Sequence, residues 1–288
     1  MNGNLQRGRG DGRVHITKRA EVATSHRLAH PAWDDARNQA VYGLEARPHG
    51  HNLLVEATVS GPVDPRTGMV LNIKDVKRAL TDMLARYDHQ DLNGDHPAFA
   101  ATAPTLERVA ETMWAELAPA IPEGRLERLR LFENDDARYE ITRAGSPPRR
   151  PQGGTMLITR RYTFSAAHRL HSPHLSDTDN ARLFQGCNNP NGHGHNYTLE
   201  VTVAGGVDPQ TGLAADHAAL DKAVREAVVD RYHYRNLNDD LPEFAGQVTT
   251  SENIVRIVWD LLAKKLGTGT LHRVMLGETR DNYFEYYG

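Results

Sequence analysis

The residues best placed for chemistry lie in one short stretch, Cys187-Asn-Asn-Pro-Asn-Gly-His193-Gly-His195-Asn-Tyr197, which holds the only cysteine of the chain. Asn, Pro and Gly ahead of the histidines mark a tight loop, and the Tyr-Thr-Leu-Glu-Val-Thr-Val that follows reads as a strand. Side chains at i and i+2 of an extended segment point to one face, so His193 and His195 could offer two imidazoles to one metal ion. A loop delivers a thiol beside them. This set suggests a metal-assisted active site more than a closed structural one.

The elements around the stretch supply a third imidazole. Leu157 to Ala166 reads as a strand that runs into Ala167-His168-Arg169-Leu170. The same order occurs earlier in the chain. Val14, Ile16 and Val22 lie in an alternating pattern that leads to Ser25-His26-Arg27-Leu28, a polar loop follows, and Pro48-His49-Gly50-His51-Asn52 enters a strand from Leu53 to Val59. Asp64-Pro-Arg-Thr-Gly68 is a turn. Val76, Leu80, Met83, Leu84 and Tyr87 recur at helical spacing, Thr105 to Leu117 reads as a second helix, and Leu126 to Phe132 and Arg138 to Ile141 read as strands. His193-Gly-His195 matches His49-Gly-His51 at a shift of 144 (193 − 49), and Trp259 answers Trp114 at 145 (259 − 114). The chain is a tandem duplication of one β-β-α-α-β-β unit. Its parts are a disordered tail over 1–12, a first repeat over 13–143, a Pro- and Gly-rich linker over 144–155 and a second repeat over 156–288.

Each repeat therefore carries three histidines: His26, His49 and His51, then His168, His193 and His195. Three neutral imidazoles with one position left open suit a catalytic Zn²⁺, which polarises a bound oxygen or makes it more acidic. The repeats diverge elsewhere yet both hold the set, which favours ligation over histidines that merely touch solvent.

Composition narrows the class. The chain has 288 residues, 39% hydrophobic and 25% charged, with net charge −3, and this describes a soluble globular protein without a nucleic-acid footprint. No apolar run reaches the length of a membrane span. One cysteine makes no internal disulfide, which fits a reducing cytoplasm.

The second repeat resembles the 6-pyruvoyl-tetrahydropterin synthase and 6-carboxytetrahydropterin synthase family. The resemblance runs through Phe164 to Leu170, Leu183-Phe184, Cys187 to Tyr197, Asp208-Pro209 with Thr211-Gly212, Thr249-Thr250-Ser251-Glu252-Asn253 and Gly277-Glu278-Thr279. The first repeat resembles it more weakly. The fold implied is α+β, with two tandem tunnelling-fold (T-fold) units. Each is a four-stranded antiparallel sheet with two helices on one face, and the units close into a β-barrel on oligomerisation of two or three chains. The activity implied is a zinc lyase acting on the small-molecule pterin 7,8-dihydroneopterin triphosphate. In that family a cysteine thiolate is the general base, an Asp-His pair assists proton transfer and a glutamate anchors the pterin ring. On this chain those roles fall to Cys187, to Asp88 and His89, and to Glu278. Thr250 and Glu252 lie near the pterin, unless Glu252 only completes a helix N-terminal capping arrangement.

The repeats depart from the pattern in complementary ways. Counting back 144 from Cys187 reaches Gly43, and residues 1–150 hold no cysteine. The first repeat keeps Asp88-His89, where the second reads His233-Tyr234. The expectation is one active site assembled from Cys187, the His168–His193–His195 zinc and Glu278 of a second repeat, with Asp88 and His89 of a first. The His26–His49–His51 zinc site would then be vestigial or structural. The competing reading is that His233 stands in for the missing pair. The product is a 6-pyruvoyl- or a 6-carboxytetrahydropterin, the latter a route toward deazapurines such as queuosine. The alternative is a non-catalytic zinc- and pterin-binding protein with a decayed site.

Overall fold

A computed structural model of the chain describes residues 12–122, 125–143, 155–266 and 270–288. The expected tail and linker fall almost wholly outside them. Two compact units emerge: one holds residues up to 134 with 138–156 and 206–213, the other 135–137, 157–205 and 214–288.

In the first unit, strand β1 (Val14–His26) pairs antiparallel with β2 (His49–Gly61), which pairs antiparallel with β4 (Leu126–Asn134). Strand β5 (Ala137–Thr142) follows β4 in the sheet, and the two-residue β3 (Gln90–Asp91) adds to β1 in parallel. Helices α2 (Ile73–Leu84) and α3 (Leu106–Leu117) lie against β1 and β4 respectively. Helix α2 buries Val76, Leu80, Met83 and Leu84, the apolar stripe that its sequence spacing predicts. Asn72 and Thr105 cap the two helices through their side chains.

The second unit repeats the plan. Strand β6 (Met156–His168) neighbours β7 (His193–Gly205), which pairs antiparallel with β9 (Leu271–Gly277), and β9 with β10 (Tyr283–Tyr286). The short β8 (Arg235–Asn236) lies parallel to β6. The α5 helix (His217–Val224) passes through a wider turn over Arg225–Val229 into α6 (Asp230–Tyr232), and α7 (Ser251–Leu266) packs on β9 and β10. Four main strands and two main helices per repeat match the sequence-based expectation. The two-residue parallel strands and two further helices, α1 (Asp35–Tyr42) and α4 (Asp177–Phe184), were not anticipated. Among the described residues no helix is long and apolar enough to cross a membrane.

Candidate active site

Pairing between β1 and β2 builds the first histidine cluster. The strands are in register with His26 opposite His49, and His51 lies two residues further on the same face of β2. Gly50, between the two, sits so close to β1 that a Cβ there would lie 2.9 Å from the Thr24 carbonyl oxygen. Glycine is therefore what the strand contact tolerates. The second cluster is built alike from His168 at the end of β6 and His193 and His195 at the start of β7.

In each cluster one nitrogen per ring lies within 4.8 Å of its counterparts. The Nε2 atoms of His26 and His49 are 3.1 Å apart, and so are those of His168 and His193. That is close to the ~3.3 Å expected of two nitrogens bound about 2.0–2.1 Å from one tetrahedral zinc. Burial lowers the pKa of His26 to about 3 and of His168 to about 4, with the neighbouring imidazoles adding to the effect. Burial also lowers His51 and His193. Neutral rings are the form that ligates. His168 donates its Nδ1 proton to the Thr249 carbonyl at 2.8 Å, which leaves the Nε2 lone pair for the cluster. His49 does the same through Nδ1 to the Arg47 carbonyl at 2.6 Å. The buried Nδ1 of His26, and Nδ1 of His193, make no hydrogen bond among the described residues. By donor type, spacing and protonation, both clusters fit a divalent metal such as zinc.

Glu278 borders the second cluster, with Oε1 3.7 Å from His168 Nε2 and 3.8 Å from His195 Nε2. Thr198 pairs with Gly277, so Glu278 lies one residue beyond that pair, opposite Tyr197 and two residues along β7 from His195. In the first repeat Leu54 pairs with Phe132, which puts Glu133 opposite Leu53 and two residues from His51. Tyr139 donates its hydroxyl proton to Glu133 at 3.3 Å.

Cys187 is half-buried and lies outside the donor set of its histidine cluster. It sits on the single helical turn Gln185–Asn188 that follows α4, and its carbonyl accepts from Leu170 N–H at 2.9 Å, two residues after His168. The equivalent turn in the first repeat is Gly43–Ala46, where Leu28 N–H donates to the Glu45 carbonyl at 2.8 Å. Thus Glu45, and not Gly43, stands where Cys187 stands. Gly43 corresponds to Gln185: each closes its helix in a left-handed conformation, at φ 59° and 47°. The loop from Cys187 to His193 is two residues longer than that from Glu45 to His49, so a shift of 144, valid after the loop, misplaces the residues before it.

Asp88 and His89 form a pair within the first repeat, with Oδ2 3.1 Å from Nδ1. The other Asp88 oxygen accepts from Ala23 N–H at 3.1 Å. That backbone hydrogen bond first, and His89 second, lower the pKa of Asp88. His89 has φ 57°, unusual for a residue other than glycine, and its side chain is exposed. In the second repeat His233 takes the place of Asp88, its Nδ1 accepting from Ser165 N–H at 3.0 Å. Tyr234, at φ 58° and 82% exposed, takes the place of His89. His233 is therefore the counterpart of the aspartate and not of the histidine.

The helix that carries Glu252 also differs from its counterpart. Glu252 is exposed in the first turn of α7, and Thr250 immediately precedes the helix. Its counterpart Glu107 is fully buried in α3. There Thr105 Oγ1 donates to the Gly212 carbonyl at 2.6 Å, Tyr42 donates to the Thr211 carbonyl at 2.8 Å, and Arg108 donates to the Pro209 carbonyl at 2.8 Å. The Asp208–Gly212 turn thus covers the start of α3 inside the first unit.

Comparison with known proteins follows the same division. A family model described as 6-pyruvoyl tetrahydropterin synthase matches residues 15–144 and, separately, 157–288. The 6-pyruvoyl tetrahydrobiopterin synthase of Homo sapiens is 47% identical over 131 residues, which is 46% of this chain and 90% of that protein. A putative 6-carboxy-5,6,7,8-tetrahydropterin synthase of Archaeoglobus fulgidus is 37% identical over 95 residues, 33% of this chain and 76% of that one. The solved structure of Caenorhabditis elegans 6-pyruvoyl tetrahydropterin synthase is 41% identical, covering 46% of this chain and 96% of its own, with a TM-score of 0.45.

Proposed function

The chain belongs to the 6-pyruvoyl tetrahydropterin synthase family, matched once by each repeat, and from that premise we propose that it is a zinc-dependent lyase acting on 7,8-dihydroneopterin triphosphate. The product is a 6-substituted tetrahydropterin, carrying a pyruvoyl or a carboxy group. One observation carries the reading: three histidines converge on one point, and the turn that bears the thiol is hydrogen-bonded to Leu170, two residues beyond His168, without joining their donor set.

His168, His193 and His195 would hold the zinc, which when bound supplies a Lewis acid for the side-chain oxygens of the substrate. Cys187, as thiolate, takes a proton from a side-chain carbon while the electron pair of that C–H bond stays on the substrate. Glu278, acceptor-only when ionised, suits the donor-rich edge of the pterin ring. Thr250 and Glu252 lie at the start of α7 as further contacts to the substrate. Asp88 fixes the tautomer of His89, with the proton on Nδ1, and leaves Nε2 to relay protons. The first repeat contributes this pair because the second has His233 and Tyr234 in its place. Such sharing favours an oligomer of two or three copies, whose sheets close into a barrel, working in the cytoplasm.

Purified protein given 7,8-dihydroneopterin triphosphate is expected to release triphosphate, and mass spectrometry of the pterin then separates the pyruvoyl from the carboxy product. No triphosphate release from zinc-loaded protein would leave the non-catalytic pterin-binding reading in its place.

A further inference from the structure

The turn that bears Cys187 also gathers two basic side chains that the proposed chemistry leaves unused. Asn188 ends the turn, and Arg169 Nε donates to its main-chain oxygen and to its Oδ1, each at 3.1 Å. His171 Nδ1 lies 3.1 Å from the same Oδ1, an oxygen that only accepts, so Nδ1 carries the proton. The backbone of Arg169 is held as well. Its N–H donates to Asn238 Oδ1 at 2.7 Å, and its carbonyl accepts from Asn238 Nδ2 and Thr249 Oγ1, both at 3.1 Å. Nη1 and Nη2 of the half-buried Arg169 make no hydrogen bond or ion pair among the described residues.

The first repeat keeps the backbone bracket and lacks the tether. At the shift of 142 (168 − 26) that holds up to this turn, Arg27 answers Arg169, Ala29 answers His171 and Ala46 answers Asn188. Asn93 accepts from Arg27 N–H at 2.8 Å and donates to its carbonyl at 3.1 Å, as Asn238 does for Arg169. Arg27 is exposed, and the Ala46 side chain has no oxygen to fix it. The strand end therefore stands without a fixed guanidinium, so the tether in the second repeat calls for a reason beyond holding the backbone.

We propose that Arg169 is a polyphosphate-binding residue, positioned by Asn188 and His171, whose terminal amino groups receive the triphosphate of the substrate beside the Cys187 turn. The identity of the ligand rests on the proposed function; the site itself does not. The chain carries a net charge of −3, so a ligand with several negative charges needs donors gathered in one place. A guanidinium fixed at Nε presents Nη1 and Nη2 as a planar fork, which matches two oxygens of one phosphate. No carboxylate is bonded to Arg169 or His171 among the described residues, so nothing in the chain neutralises the fork. Arg169 adjoins the ligand His168 in sequence and is bonded to the neighbour of Cys187. A triphosphate held there lies at the end of the site where the thiolate takes its proton.

The test uses the full chain loaded with zinc, native and as Arg169→Gln, Arg169→Lys, Asn188→Ala and Arg27→Gln. Three quantities are read: the Kd of inorganic triphosphate by calorimetry, the Kd of 7,8-dihydroneopterin, which has no phosphate, and the metal ions per chain after each titration. Arg169→Gln should weaken inorganic triphosphate by about 10- to 100-fold, the worth of charge-assisted hydrogen bonds. Arg169→Lys keeps the charge without the fork and should recover part of that loss, and Asn188→Ala should cost several-fold. Arg27→Gln should bind as the native chain does. All variants are expected to keep the native metal content and the native affinity for 7,8-dihydroneopterin. Native triphosphate affinity in Arg169→Gln, an equal loss in Arg27→Gln, or a loss that falls equally on 7,8-dihydroneopterin would each overturn the proposal. So would a native chain that binds no triphosphate. Should Arg169→Gln fail to fold, native affinity in both Arg169→Lys and Asn188→Ala decides against it. The expected losses in a chain that releases no triphosphate from 7,8-dihydroneopterin triphosphate would sink the lyase reading and leave the Arg169 site standing.

Discussion

His26 and His168 are the same residue in two copies of one unit, and the two copies hold it differently. His168 is tied through Nδ1 to the Thr249 carbonyl, whereas the buried Nδ1 of His26 makes no hydrogen bond among the described residues. In the first repeat the tethered ring is His49, at the rim of the cluster, through Arg47. A buried ring with one nitrogen fixed is oriented before any metal arrives, while one held by packing alone is less constrained. The duplication has kept the ligands and changed their support. Around them it has kept the positions and changed the chemistry: thiol against carboxylate, and His-Tyr against Asp-His.

The largest contrast should come from the ligands. His193→Ala and His49→Ala should each lower the metal content by one ion per chain. Turnover is expected to vanish only in the first and to stay above half in the second. Equal losses would mean that the repeats share the work evenly. Next is the proton relay. His89→Ala should lower turnover by about 10²–10⁴-fold, the usual worth of a positioned acid or base, whereas Tyr234→Ala at the matching place should change it only several-fold. If Tyr234→Ala proves equally damaging, the second repeat has its own relay.

Acid should loosen both copies. His26 and His168 titrate at about 3 and 4 in the folded chain against 6.5 for a free histidine, so the unfolded chain binds protons first as pH falls. Metal-free protein should therefore keep its full stability above pH 6.5 and lose it progressively toward pH 3–4, read as a falling midpoint in urea. The smallest effect separates the two anchors. In metal-free protein His168→Ala should cost about 1 kcal/mol more than His26→Ala, since only His168 makes the hydrogen bond, and paired chemical denaturation curves check it.

Much of the fold was legible because its signals are local. The stripe Val76–Leu80–Met83–Leu84 announces α2, and the alternation leading to His26 announces β1. Helices α1 and α4 carry no apolar stripe, so the α1 segment reads as a polar loop and nothing in the α4 segment announces a helix. Asn38 and Tyr42 are the only residues α1 buries, and α4 buries only Asn180, so polar capping and the asparagine side chains hold these turns in place. The two-residue strands β3 and β8 gain their pairing from β1 and β6, and nothing in their own sequence marks it.

The sequence by itself determined the duplication, the six histidines and the place of the single thiol, since ligand type and i, i+2 spacing are written in the chain. It also showed that the repeats had lost different parts. Only the tertiary structure decided what stands opposite Cys187. Counting along the chain carries the two-residue difference between the loops back onto the wrong residue, Gly43. The hydrogen bonds Leu28–Glu45 and Leu170–Cys187 carry no such error, because a backbone contact compares positions in space. With Glu45 in that position, the first repeat carries a carboxylate where the second carries a thiol.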